Sequence, residues 1–373
     1  MQTKIVKIIP PQIKAPQIKA AAGVIDAGGL VGFPTETVYG IACRVEKKSL
    51  ERLSQLKQRQ PDKFYTLHIG DKQIAHKYVP DMNLRAEKIV NNFLPGPVTI
   101  VFSLSPEQLQ KAQNSIEPQV FECLYRDNSI GIRCPENTTA SLLLRLAHYP
   151  VVAPSANTSG SSSAVTGQQV LEYFDGQIDL LIDEGECKYK QSSTVLKITQ
   201  NSVEILRPGV ISQETIEKSS KVQILLVCTG NTCRSPMAEG VMKKYISEKL
   251  GCRLDQLEKN GYKVCSAGTM GLSGMPASPE AAAACADYGI DIRKHRSTGL
   301  SREIIEQSDI IYAMSLKHLN RIIDLDAEAE KKCVLLADNE DVPDPIGLGQ
   351  EHYDRCLDMI EKAVKKRISE LRL

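Results

Sequence analysis

Short apolar blocks, punctuated by glycine and proline, set the rhythm of this 373-residue chain. Up to about Gly209 the runs Leu30–Phe33, Val98–Leu104, Val151–Ala153, Leu180–Ile182 and Val195–Ile198 read as strands, with helical patterns between them. The mixture predicts an α/β or α+β domain with a central sheet, and of the two an α/β domain on a twisted sheet is expected. Ahead of it stands a tandem repeat, Pro11-Gln-Ile-Lys-Ala15 and Pro16-Gln-Ile-Lys-Ala20, whose second copy opens a helix ending at Gly28-Gly29. Ser212 to Lys221 is polar, charged and free of aromatics, as a linker would be. From Val222 onward strand and helix alternate regularly. The strands are Ile224–Val227, Lys263–Ser266, Ile310–Met314 and Cys333–Leu336; helices follow Pro236, run through Pro279–Tyr288, and close the chain from about His352. Such βα repeats predict a small doubly wound parallel sheet that binds its ligand at the carboxyl ends of the strands. The expected organisation is two α/β domains, 1–211 and 222–373, around a linker at 212–221.

Composition narrows the class. The 46 Lys and Arg against 45 Asp and Glu leave a net charge of +1, so no global field marks a nucleic-acid or membrane-surface protein. The eleven cysteines form no CxxC pair and no zinc spacing, which suggests reduced thiols and no metal centre. With no apolar signal-peptide core and no run of transmembrane length, the expectation is a cytoplasmic protein that does not engage membranes.

The most specific chemistry lies in Val227-Cys-Thr-Gly-Asn-Thr-Cys-Arg-Ser-Pro236, set between an apolar run and a helical stretch. A cysteine, five residues and Arg-Ser at a strand-to-helix turn make a phosphate cradle. Backbone N–H groups and the helix N-terminus face the anion, and Arg234 grips two of its oxygens. The same positive field favours a Cys228 thiolate, the form that attacks phosphorus. A lone cysteine before a capping loop is more often structural, but the full spacing outweighs that reading. Asp338, Asp341 and Asp344 form an acidic run of the kind that is usually solvated. Asp344 stands apart because Pro343 and Pro345 stiffen the backbone and fix where its carboxyl points.

Further motifs follow in order: Ser266-Ala-Gly-Thr269, Gly289-Ile-Asp291, His295-Arg-Ser297, Ser308-Asp-Ile310, Met314 and Val342-Pro-Asp-Pro345. Together with the cradle they resemble the low-molecular-weight phosphotyrosine phosphatase family. The resemblance implies Cys228 as nucleophile, Arg234 on the equatorial oxygens, and Asp344 as general acid, then base, in releasing a phosphocysteine. It implies Ser235 as a hydrogen-bond donor to the thiolate, Asn231 as the residue that shapes the loop, and no metal. Thr232 and Ile346-Gly347 depart from the tyrosine-specific members, which place a bulky aliphatic and aromatics there. A small hydroxyl above the phosphate and no stacking wall make the loop similar to bacterial protein arginine phosphatases. Phosphorylated proteins are therefore the expected substrates, with phosphoarginine ahead of phosphotyrosine. Thioredoxin-coupled arsenate reductases share Cys-Thr-Gly-Asn but need a further close cysteine pair, which Cys265, Cys285 and Cys333 do not supply. Cys233 reads either as a small buried side chain or, as the family implies, as a thiol that forms a reversible disulfide with oxidised Cys228.

The first half carries its own series: Phe33-Pro-Thr-Glu-Thr-Val-Tyr-Gly40, Lys57-Gln-Arg59, Leu94-Pro-Gly-Pro-Val-Thr99, Ile130-Gly-Ile-Arg-Cys-Pro135, Ala153-Pro-Ser-Ala-Asn157 with Ser159-Gly160, Ser193-Thr194 and Leu206-Arg-Pro-Gly209. Singly these are solvated helix faces, polar turns and structural residues. In this order they resemble the YrdC-like threonylcarbamoyl-AMP synthases. The resemblance implies an adenylate made from L-threonine, bicarbonate and ATP with release of pyrophosphate, the group then passing through a partner transferase complex to tRNA. That chemistry needs cations along a triphosphate and little covalent help. Lys57, Arg59, Lys63 and Arg207 are the candidates for ATP phosphates, with Ser155 and Asn157 offering a hydroxyl and an amide. Arg133 would clamp the threonine carboxylate, with Thr35, His68 and Ser193 contacting threonine and Tyr39 nearby. No Walker-type loop occurs; Mg2+ is expected with ATP, but no carboxylate cluster locates it. Gln60 and Phe64 stand where the family tends to place prolines, so a shifted loop is expected there. A competing reading of this half is a binding module for tRNA or double-stranded RNA. The joint presence of Thr35, Arg133 and Ser193 favours a catalytic pocket, and the two halves together imply a bifunctional enzyme.

Overall fold

The computed structural model describes residues 2–9, 15–58, 65–200, 202–338 and 340–373. Arg59 and Lys63, the nearby Gln60 and Phe64, and Pro11 to Lys14 of the first repeat lie outside the described residues. The chain divides into two compact units, one reaching Met82 and resuming at Ala86–Ser219, the other made of Asn83–Arg85 and Ser220–Leu373.

In the first unit, strands β1 (Lys4–Lys7), β2 (Val31–Phe33), β3 (Gly40–Arg44), β4 (Thr66–His68), β5 (Val98–Ser103), β6 (Ser129–Arg133), β7 (Val151–Val152), β8 (Leu180–Asp183), β9 (Thr194–Ile198) and β10 (Val203–Arg207) form one sheet. Their order is β1-β8-β2-β3-β7-β4-β6-β5-β9-β10, with parallel and antiparallel pairs mixed. Apolar clusters cover both faces: Ile41 and Cys43 of β3 belong to one, Ala42 to the other. That two-sided burial explains why several strands read as unbroken apolar runs. The helix Ala15–Asp26 begins in the second repeat copy, with Pro16 in its first turn, where a missing N–H costs nothing. The stretch expected to be a linker instead contains the helix Gln213–Ser219, whose Ile216 is buried in the first unit's core. Its polar composition is that of a short helix with one apolar face.

In the second unit, β11 (Val222–Cys228), β12 (Tyr262–Gly268), β13 (Ile310–Ala313) and β14 (Cys333–Leu335) are all parallel, in the order β12-β11-β13-β14. Every residue of β11 is buried. Ile224, Leu226 and Cys228 face the cluster made with the helices Arg234–Leu250 and Gln350–Glu370, while Leu225 and Val227 face the other side with Ile311 and Ile322. The chain leaves β11 for β12 on one side and passes from β12 to β13 on the other, so the sheet's switch point lies at the carboxyl end of β11, where Cys228 is the last residue.

Candidate active sites

The phosphate loop folds around its own polar groups. Asn231 adopts the left-handed conformation at φ 57°, which Asn tolerates better than most residues, and is fully buried. Its amide nitrogen donates to Ser235 Oγ and Ser266 Oγ, both at 2.8 Å, and its Oδ1 accepts the Thr298 N–H at 2.7 Å. Its carbonyl accepts from His295 Nε2 at 2.8 Å. Because Ser235 Oγ already accepts from Asn231, its own proton is directed at Cys228 Sγ, 2.9 Å away; the Asn231 N–H reaches the same sulfur at 3.3 Å. Gly268 at the end of β12 permits this closeness: a Cβ there would fall 2.8 Å from the Thr229 carbonyl oxygen and 3.0 Å from Asn231.

Arg234 is buried, with Nη1 on the Val342 carbonyl at 3.2 Å and Nη2 on Thr229 Oγ1 at 3.1 Å. The same Nη2 forms a close ion pair with Asp344 Oδ2, whose side chain is 41% exposed at the mouth of the site. The other two aspartates of the run are engaged elsewhere. Asp338 pairs with Lys366 and Arg367, and Asp341 caps the helix Leu316–Leu325 through the Leu316 N–H. Cys228, Asn231, Arg234, Ser235 and Asp344 are thus brought together. Thr232 is half-buried, and the apolar Ile346 beyond Asp344 is 67% exposed. Cys233 is buried, 3.5 Å from both Ser278 Oγ and Tyr353 Oη, and all eleven cysteines are free thiols. Thr229, Ser266 and His318 escaped the sequence reading. Ser266 lay within a recognised motif, but nothing in the sequence singled out His318.

In the first unit, strand register builds a cavity of about 210 Å³. His68 of β4 pairs with Arg133 of β6, Arg133 with Thr99 of β5, and Thr99 with Val195 of β9. Directly paired residues share a face, so these four form a row across four strands, and all line the cavity. Two residues along, Thr66, Gly131 and Val101 form a second row, in which Gly131 leaves the floor open. Thr35, Ser155, Ser193 and Arg207 complete the walls.

Arg133 Nη2 reaches Glu36 Oε1 at 3.0 Å, Thr35 Oγ1 at 3.2 Å and Thr37 Oγ1. Arg207 Nη2 donates to the Ser193 carbonyl at 2.8 Å and to Ser193 Oγ at 3.2 Å. Burial, then the charge of Arg133, pulls the Arg207 guanidinium below its ordinary range. Two guanidiniums on one cavity, of which only Arg133 is paired to a carboxylate among the described residues, suit an anion. Gly209 lets the Arg207 segment lie against its neighbour, since a Cβ would meet the Thr194 nitrogen at 2.4 Å. His68 donates from Nδ1 to the Thr66 carbonyl at 3.0 Å, which leaves Nε2 as the acceptor; burial, then Arg133, pushes its pKa down to about 3. Tyr39 lines the wall, but its hydroxyl donates to the Gly185 carbonyl at 2.8 Å, and burial raises its pKa.

Lys57, Ser155 and Asn157 are also brought together, but mainly with each other. Lys57 Nζ donates to the carbonyls of Ser155 and Asn157, the latter at 2.6 Å, and Ser155 Oγ donates to Asn157 Oδ1 at 2.6 Å. The Asn157 amide serves the Thr158 and Ser161 carbonyls at 2.8 Å. A buried ammonium must find acceptors, and these carbonyls supply them. No Asp or Glu lines the cavity among the described residues, so the wall offers Mg2+ no carboxylate. Among the described residues no group of three or more His, Cys, Asp or Glu is placed to hold a metal ion, and no helix is long and apolar enough to cross a membrane.

Both halves of the chain match families of known proteins. Residues 23–209 match the Sua5, YciO and YrdC family model, described as telomere recombination; residues 223–372 match that of low molecular weight phosphotyrosine protein phosphatase. A threonylcarbamoyl-AMP synthase of Pyrococcus abyssi is 34% identical over 203 residues, covering 54% of this chain and 56% of that protein, so the chain spans about half the length of that relative. A putative threonylcarbamoyl-AMP synthase of Methanocaldococcus jannaschii is 32% identical over 185 residues, covering 49% of this chain and 81% of that protein. The solved structure of P. abyssi Sua5 complexed with L-threonine shares the fold, with a TM-score of 0.52 at 23% identity over 71% of this chain and 92% of that one. The chain belongs to the Sua5, YciO and YrdC family and carries, after that domain, a low-molecular-weight phosphotyrosine phosphatase domain.

Proposed function

We propose that the chain is a bifunctional enzyme. Its first half would form threonylcarbamoyl-AMP and pyrophosphate from L-threonine, bicarbonate and ATP, for transfer to tRNA by a partner complex. Its second half would remove phosphate from proteins through a phosphocysteine. The observation that carries the synthase reading is the row of His68, Arg133 and Thr99, continued through Val195 to Arg207, along one cavity. Arg133 would hold the threonine carboxylate and Arg207 the phosphates, so that the charges of the two substrates are brought together against fixed cations. A neutral His68 Nε2 accepts a hydrogen bond from threonine without adding a competing charge.

For the phosphatase, the sulfur held by Ser235 and Asn231 attacks phosphorus, the P–X bond breaks, and Asp344 protonates the departing atom. Asp344 then takes a proton from the water that attacks the phosphocysteine, and Cys228 leaves as thiolate with inorganic phosphate. A phosphoarginine preference is supported by the small Thr232 and by the exposed Ile346-Gly347 segment, which supplies no aromatic wall. Comparison of kcat/KM on phosphoarginine and phosphotyrosine peptides tests this, with Cys228→Ser as blank. Preference for phosphoarginine, lost or reversed in Thr232→Ile, is expected; a phosphotyrosine preference in the unaltered chain overturns it. Pyrophosphate release from ATP that requires both threonine and bicarbonate tests the first half, and ATP binding without turnover refutes it.

A further inference from the structure

Once the nucleophile, its donors and the acid are assigned, one hydroxyl and one imidazole beside the phosphate loop remain unexplained. Thr229 Oγ1 lies 3.1 Å from Arg234 Nη2 and 2.8 Å from His318 Nε2. His318 Nδ1 lies 2.7 Å from Ser315 Oγ, which caps the helix Leu316–Leu325 by accepting the His318 N–H. A guanidinium only donates, so Thr229 Oγ1 accepts from Arg234. With the imidazole proton on Nδ1 and donated to Ser315 Oγ, Nε2 accepts the Thr229 proton; the distances alone fit the reverse tautomer as well. In the first arrangement all the bonds run in one direction, from the arginine to a helix cap.

We propose that His318 is a positioning residue of the phosphatase site: as a neutral acceptor it orients the Thr229 hydroxyl, which in turn holds the Arg234 guanidinium where it meets the phosphoryl oxygens. The proposal rests on reading the Cys228 loop as an oxyanion site. The surroundings keep the imidazole neutral. It is 3% exposed, and burial foremost, then Arg234, with Lys317 adding to it, opposes a charge that Asp344 and Asp341 favour; the pKa falls to about 4. Protonation would make Nε2 a donor and set two cationic groups on one hydroxyl oxygen. A leucine would fill the same space at less electrostatic cost, so packing alone does not account for a histidine beside Arg234.

The test uses the full chain and inorganic phosphate, with affinity measured by calorimetry and turnover measured on p-nitrophenyl phosphate. Removal of one hydrogen bond to a charged group predicts about tenfold weaker phosphate binding in Thr229→Val and in His318→Leu. The double variant should be no worse than either single one, because both break the same link. His318→Gln, whose carbonyl reaches the place of Nε2, should restore affinity to about the unaltered value, as a merely structural role would not. Equal phosphate affinity in all variants, additive losses, or a Gln variant no better than Leu overturns the proposal. Should His318→Leu fail to fold, His318→Gln against Thr229→Val supplies the comparison: the first should bind phosphate as the unaltered chain does, the second about tenfold more weakly. Phosphate binding without turnover in the unaltered chain would refute the phosphatase reading and leave the positioning to be judged on affinity; no phosphate binding at all would refute both.

Discussion

Lowering the pH from 7.5 to 4.5 should destabilise the first unit through His68. The unfolded chain takes up this proton near the ordinary value of 6.5, the folded unit only near 3, because the ring is buried beside Arg133. Between those values the unfolded state binds more protons. Stability is therefore fully present above about pH 6.5 and is lost as the pH falls through the window. At pH 4.5 the unfolded imidazole lies two pH units below its pKa while the folded one is still neutral, which amounts to about 3 kcal/mol. That is a large share of the stability of an ordinary domain. His68→Asn removes the titration while keeping an N–H close to the place of Nδ1 for the Thr66 carbonyl. Hydrogen exchange read by mass spectrometry on peptides spanning β4 and β6, at both pH values and corrected for intrinsic rates, gives the difference. The carboxylates common to both proteins cancel. The unaltered chain should lose about a hundredfold more protection than His68→Asn on acidification. Parallel losses in the two proteins would refute the reasoning.

Two further outcomes follow from the same geometries. Gly131→Val places methyl groups between Thr66 and Val101 on the cavity floor, where a Cβ meets Thr66 Oγ1 at an ordinary 3.4 Å; it should abolish threonine-dependent pyrophosphate release with little change in thermal unfolding, and retained turnover would place the substrates elsewhere. Asn231→Ala removes the buried amide that donates to Ser235 Oγ and Ser266 Oγ, although Ser266 keeps Glu239 and the Thr298 N–H can turn to water; it should cost the second unit about 1–3 kcal/mol in denaturant unfolding and abolish phosphatase turnover, and a loss below about 0.5 kcal/mol would mean the loop holds its shape without that side chain.

Strands buried on both faces were the easiest to find, because a run such as Val98–Ser103 or Val222–Cys228 is apolar with little interruption. β1 and β10 are the two ends of the sheet, short or polar where no neighbour covers them, and lie outside the predicted strands; so does the buried central β3, Gly-Ile-Ala-Cys-Arg, which opens on a glycine and has no β-branched run. β4 has only three residues, two of them polar, yet it supplies His68 and Thr66 to the cavity. The polar helix Gln213–Ser219 reads as a linker in composition because a seven-residue helix offers too few turns for its single buried Ile216 to declare a face.

The sequence by itself determined the phosphate cradle, since Cys228, Asn231, Arg234 and Ser235 lie within eight residues at one strand-to-helix turn and local geometry brings them together. It also singled out Asp344 among three aspartates by its flanking prolines. Only the tertiary structure decided that Asp344 meets Arg234, that His318 stands behind Thr229, and that Lys57 spends its ammonium on the carbonyls of Ser155 and Asn157. Only the structure set His68, Arg133 and Thr99 in one row, because that row is a matter of register between strands far apart in the chain. Register is fixed by which faces the whole sheet can bury, and no window of sequence contains that information.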